Sequence, residues 1–202
     1  MDNYAASVEK TKKLFLGYPQ EDMIAAYALE HDDDYIYLSF MGRKERVSRN
    51  TASIEYESSG GWTESSYAEY MTIYDVLSRC SMPRLTGEMV PASALLGSAY
   101  RSGISDFFER DAALLDKRFD VLKRVCASMG KISEGMSDLE CNFSLFEFLP
   151  VGMRFLRADD EFPPEIHYLW DGCTLKHMYF ETTQFCERFI TDMLIKEIKK
   201  GS

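Results

Sequence analysis

The dipeptide Met41-Gly42 stands between two strand-like runs, Tyr35-Ile36-Tyr37-Leu38-Ser39-Phe40 and Arg43 to Val47. So short a connection between extended segments suits a tight hairpin, which makes the two runs antiparallel neighbours. A third run, Ala52 to Glu57, continues the strand-like composition, and the three form a small meander. Ahead of it, Tyr4, Val8, Leu14 and Phe15 fit one side of a helix stopped at Gly17-Tyr18-Pro19. A second helix starts near Pro19, whose missing N–H costs nothing in a first turn, and runs through Met23, Ala26 and Tyr27 until Asp32-Asp33-Asp34.

Gly60-Gly61 breaks the meander, and Ser66 with Glu69 then makes a capping box ahead of Tyr67, Met71, Tyr74 and Leu77, predicting a helix over 66 to 80. From Met82 to Gly103 the breakers Pro83, Gly87, Pro91, Gly97 and Gly103 leave a structured loop with at most a short strand. A helix over 106 to 129 follows from Leu115, Phe119, Leu122, Cys126 and Met129, with Gly130 where a left-handed cap belongs. Asn142 to Phe148 is apolar on both alternating sets, as in a central strand. Leu149-Pro150-Val151-Gly152 turns the chain into a strand marked by Val151, Met153 and Phe155, and Ile166, Tyr168 and Trp170 mark the next. Thr182 or Thr183 caps a last helix over 183 to 199. The expected fold is α+β, one domain over residues 1–202, with antiparallel strands packed against three or more helices; Gly201-Ser202 reads as a cloning remnant.

Charge narrows the function classes. Lys plus Arg number 23 against 33 Asp plus Glu, a net charge of −10, and no basic stripe with interleaved aromatics occurs, so no nucleic-acid partner is expected. No run approaches the roughly 20 apolar residues of a membrane span. The N-terminal residues lack the basic start, apolar centre and cleavage site of a signal peptide, which predicts a cytoplasmic protein. Cys80, Cys126, Cys141, Cys173 and Cys186 stand singly, without the paired spacings of zinc, redox or iron-sulfur sites, and read as free thiols with no metal. Nucleophile elbows, phosphate loops, dinucleotide fingerprints and His-Glu-x-x-His are absent as well.

The densest polar cluster flanks the last strands. It comprises Asp159, Asp160 and Glu161, then Trp170 and Asp171, then His177 and Glu181. Adjacent carboxylates repel unless cations or donors sit among them, and Arg154 and Arg157 are expected to balance the acidic turn. The candidate binding residues are therefore Asp159, Asp160, Glu161, Trp170, Asp171 and Glu181, provided that the fold brings Asp160 and Glu161 near Glu181. His177 and Glu181 are four apart, but the capping threonines follow them, which places His177 in a loop or strand as an ordinary polar residue. His167 reads as a half-exposed strand residue, and His31 helps neutralise the three aspartates after it. Tyr67, Tyr70 and Tyr74 read as core, with an exposed partner or self-association face as the other possibility.

Asp160-Glu161-Phe162-Pro163, after the strand Val151 to Leu156 and before Leu169-Trp170-Asp171 and Tyr179-Phe180-Glu181-Thr182, resembles the tail of a bacterial and archaeal family known as domain of unknown function 3786. Leu85-Thr86-Gly87-Glu88-Met89-Val90 is similar to a segment that this family carries after its first long helix. The resemblance covers most of the chain and implies no established activity or ligand residues. Some relatives join a cysteine-rich iron-sulfur segment, and no such segment occurs in this sequence.

The leading expectation is a non-catalytic cytoplasmic binding or accessory protein with an acidic site, its small-molecule or protein partner and any cofactor unknown. The alternative is a carboxylate-dependent enzyme using a divalent metal, with Asp160 or Glu161 and Glu181 as acid/base groups or as hard oxygen ligands for Mg²⁺, Mn²⁺ or Ca²⁺.

Overall fold

The computed structural model describes residues 3–96 and 108–200, with side chains from residue 5. Expectations resting on Tyr4, on Gly97 and Gly103, on the start of a helix at 106 and on Gly201-Ser202 lie outside the described residues.

Helices α1 (Asn3–Phe15) and α2 (Gln20–Tyr27) lead into a five-stranded antiparallel meander of β1 (Glu30–His31), β2 (Tyr35–Phe40), β3 (Arg43–Ser48), β4 (Ile54–Ser58) and β5 (Gly61–Glu64). The hairpin expected at Met41-Gly42 is present, with Phe40 opposite Arg43. Both turn residues have positive φ, 50° and 73°, which a two-residue hairpin of matching twist requires. Glycine adopts this freely. Met41 accepts it while burying its side chain and donating its N–H to Leu145 C=O at 2.9 Å. Gly60-Gly61 does not end the meander as expected: Ser58 pairs with Gly61 across a tight turn, and β5 extends the sheet.

Next comes α3 (Tyr67–Ser78), opened by the expected capping box: the Glu69 N–H donates to Ser66 Oγ, and the Ser66 N–H to the Glu69 carboxylate at 2.6 Å. Tyr70 and Tyr74 are buried, in line with the core reading. Then follow β6 (Met89–Pro91), α4 (Ala92–Leu95), α5 (Glu109–Asp116) and α6 (Phe119–Met129). The long helix expected to end at 129 is thus two helices broken at Lys117-Arg118; Leu115 and Leu122, seven apart, still bury on one side, so the apolar stripe runs through the break. Gly130 is extended, with φ of −155°, not a left-handed cap. Its missing side chain serves a close approach instead: a Cβ there would lie 2.6 Å from Asn142 O and 2.9 Å from Cys141 Sγ.

A second antiparallel sheet has the order β6, β10 (Glu165–Asp171), β9 (Leu149–Leu156), β8 (Leu139–Phe146), β7 (Lys131–Ser133). The turn between β8 and β9 is at Glu147-Phe148, two residues earlier than expected, and Leu149 and Pro150 already belong to β9. Pro150, opposite Ser144, has no N–H to give the ladder, and the register shifts between Ser144 and Phe146. Leu145, in that shift, is left to accept the Met41 N–H. This bond, with Phe40 against Phe146 at 5.2 Å, joins the two sheets, and Phe40 also meets Phe189 of the C-terminal helix at 5.2 Å.

The chain ends with α7 (Thr174–His177) and α8 (Phe180–Lys200). Thr182 and Thr183 lie inside α8 rather than capping it. Asp75, in α3, accepts the Tyr179 N–H and the Thr182 hydroxyl, both at 2.6 Å, so another helix supplies the acceptor at this start. One apolar cluster runs through both sheets, α3, α6 and α8. The architecture is α+β, as the sequence leads one to expect. No described helix is long and apolar enough to cross a membrane.

Candidate binding site

The acidic turn faces solvent. Asp159 accepts the N–H groups of Glu161 and Phe162 at 2.8 and 2.7 Å, which holds its carboxyl below the usual range; Asp160 and Glu161 are exposed, and Phe162 is 63% exposed. The arginines expected to balance the turn point elsewhere: Arg154 pairs with Glu140 at 3.2 Å and Arg157 with Asp116 at 2.9 Å. Local backbone donors replace them.

Trp170 and Asp171 are interior residues. Trp170 is fully buried and donates its indole N–H to Glu187 at 2.9 Å. Asp171 is 1% exposed and accepts from Thr86 N–H (3.0 Å), Thr86 Oγ1 (2.9 Å), Gly87 N–H (2.8 Å) and Cys173 N–H (2.9 Å). Burial alone would raise its carboxyl pKa; the donors outweigh it and hold the carboxyl far below the usual range. Its lone pairs are occupied by the chain itself, and it fixes the 86–87 loop onto the end of β10.

Glu181 does not meet the acidic turn. Glu187 bonds to Trp170, and Thr191 to Tyr168 at 2.7 Å, so α8 runs antiparallel to β10. Glu181 therefore projects beyond the Asp171 end of β10, while Asp159 to Glu161 precede its other end. At strand and helix rises the separation is about 25 Å. The expected concavity joining these carboxylates is not formed, because the two segments are attached to opposite ends of one antiparallel pair. Among the described residues no group of three or more His, Cys, Asp or Glu is placed to hold a metal ion.

His177 also differs from expectation. It ends α7, and the extended Met178 separates it from α8, so it shares no helix face with Glu181. It is fully buried, 5.6 Å from the Phe148 ring, and burial depresses its pKa although nearby Asp171 opposes this. Asp32 is held mainly by the Tyr37 hydroxyl and the N–H groups of Asp34 and Tyr35, with His31 a minor influence.

Sequence reasoning missed a different feature. A cleft of about 450 Å³ opens where the end of α2, the edge of β2 and the β8–β9 turn meet. Tyr27, Phe148 and Phe146 form a stack at centroid distances of 4.8 and 5.3 Å, interplanar angles 24° and 11°. The Tyr27 hydroxyl is committed to Val76 C=O at 2.7 Å, which fixes that ring. Leu29, Leu38 and Leu77 add apolar surface, and Ser39, Glu30, Glu147 and Lys44 add polar groups. Lys44 lies 4.9 Å from the centre of the Tyr37 ring. The signals were in the sequence, as Tyr27 at a helix end and Phe146 and Phe148 around a turn, but each alone reads as core. Only the contact between the sheets makes them one wall.

A family model described as Domain of unknown function (DUF3786) matches residues 20–193. No curated protein and no solved structure matches the chain.

Proposed function

Since the chain belongs to the DUF3786 family, whose function is unknown, we propose from its own geometry that it is a non-catalytic binding domain that takes a small flat molecule into the cleft between its sheets. The observation carrying this reading is the stacked wall of Tyr27, Phe148 and Phe146 facing about 450 Å³ of open space. A pocket of this size, lined by polar and apolar groups in about equal measure, suits a small polar aromatic ligand. Among the described residues no His or Cys lines the cleft to activate Ser39, which favours binding over nucleophilic chemistry.

A thermal-melt panel tests the proposal, since a ligand of the native state raises the midpoint by mass action. Indole-sized aromatics at millimolar concentration are expected to raise it in the wild type and not in Phe148→Ala. A flat panel, or an equal rise in both proteins, contradicts the reading. A rise with Mg²⁺, Mn²⁺ or Ca²⁺ that is lost in Asp160→Ala or Glu181→Ala would favour the carboxylate-dependent enzyme instead.

A further inference from the structure

The cleft contains an unfinished sheet edge. Tyr35 C=O accepts the Asp32 N–H, Tyr37 pairs with Glu30, and the Met41 N–H bonds Leu145 C=O. Odd-numbered residues of β2 therefore turn their backbone groups away from β3, and Ser39 is among them. β1 is only two residues long and stops short of Ser39. The residue that would continue it, Ala28, caps α2 in a left-handed conformation, its N–H bonded to Ile24 C=O. Among the described residues, Ser39 N–H and C=O have no backbone partner, and Ser39 is half-buried and lines the cleft. One donor and one acceptor thus point the same way beside a stacked aromatic wall.

Resting on the binding role proposed above, we infer that the cleft takes an amino-substituted nitrogen heterocycle, a nucleobase or its nucleoside, read by the backbone of Ser39 and packed against the Tyr27–Phe148–Phe146 side of the cleft. The Ser39 N–H donates to a ring nitrogen, and the Ser39 C=O accepts from the adjacent amine, the paired edge that adenine presents. Charge selects the unphosphorylated form: among the described residues, Glu30, Glu147 and the negative end of α2 line the cleft against Lys44.

Substitution at Ser39 separates backbone from side chain. Proline there removes the N–H that faces away from β3 and also fixes φ at about −65°, a change that sheet edges accommodate. By NMR titration, adenosine is expected to bind wild type and Ser39→Ala alike, and Ser39→Pro at least about tenfold more weakly, one lost hydrogen bond to a buried partner. Adenosine monophosphate is expected to bind more weakly than adenosine. In the wild type the Ser39 amide proton shifts downfield on binding, which tests the same bond should the proline variant not fold. Unchanged binding to a folded Ser39→Pro, tighter binding of the monophosphate, or an unmoved Ser39 amide overturns the inference. If indole binds and adenosine does not, the heterocycle is wrong and the binding domain stands; if neither binds, both fail.

Discussion

Glu187 shows how a charged residue type can serve the interior. Burial pushes its carboxyl up to about 7, against the partial offset of the Trp170 N–H. A carboxyl whose folded pKa exceeds its unfolded value of 4.5 keeps its proton on folding. Its contribution to stability is therefore full at low pH and is lost as pH rises from about 4.5 to about 7. Glu187→Gln preserves an acceptor for Trp170 and removes this titration. Urea unfolding is expected to find the variant more stable than wild type at pH 8, on the order of 2 kcal/mol, with the gap closing toward pH 4.5. A gap that does not change with pH would show that Glu187 does not titrate in this range. Comparison with wild type isolates the effect, because Glu45, also raised to about 7 by burial, and His177, shifted the opposite way, are common to both proteins. None of this was legible beforehand. Trp170 and Asp171 stood out in the sequence as aromatic and charged, yet their partners, Glu187 and Thr86, are 17 and 85 residues away.

Elements were legible where their signals are local. The Met41-Gly42 hairpin and the Ser66–Glu69 box fell where short-range chemistry places them, because turn twist and cap hydrogen bonds are satisfied within a few residues. Boundaries set from a distance were not: α8 begins at an acceptor from α3, and Gly130 is demanded by β8. Gly130→Ala brings a Cβ against backbone and Cys141 without any gain in helix capping. Overpacking of this kind costs about 1–3 kcal/mol. Chemical denaturation is expected to report a loss in that range, and a variant as stable as wild type would restore the cap reading.

At the scale of the molecule, the proposed cleft follows from how the two sheets meet. The α+β class could be read from alternating periods of two and 3.6, but not the direction of α8 along β10, which carries Glu181 away from Asp160 and Glu161. The same assembly puts Ser39, Lys44 and Phe148 around one opening. Backbone amide mapping during titration with indole, and then with adenosine, tests this most directly. Shifts are expected to concentrate at Ala28, Ser39, Lys44 and Phe148; shifts centred on 159–165 or Glu181, or none anywhere, would contradict the account.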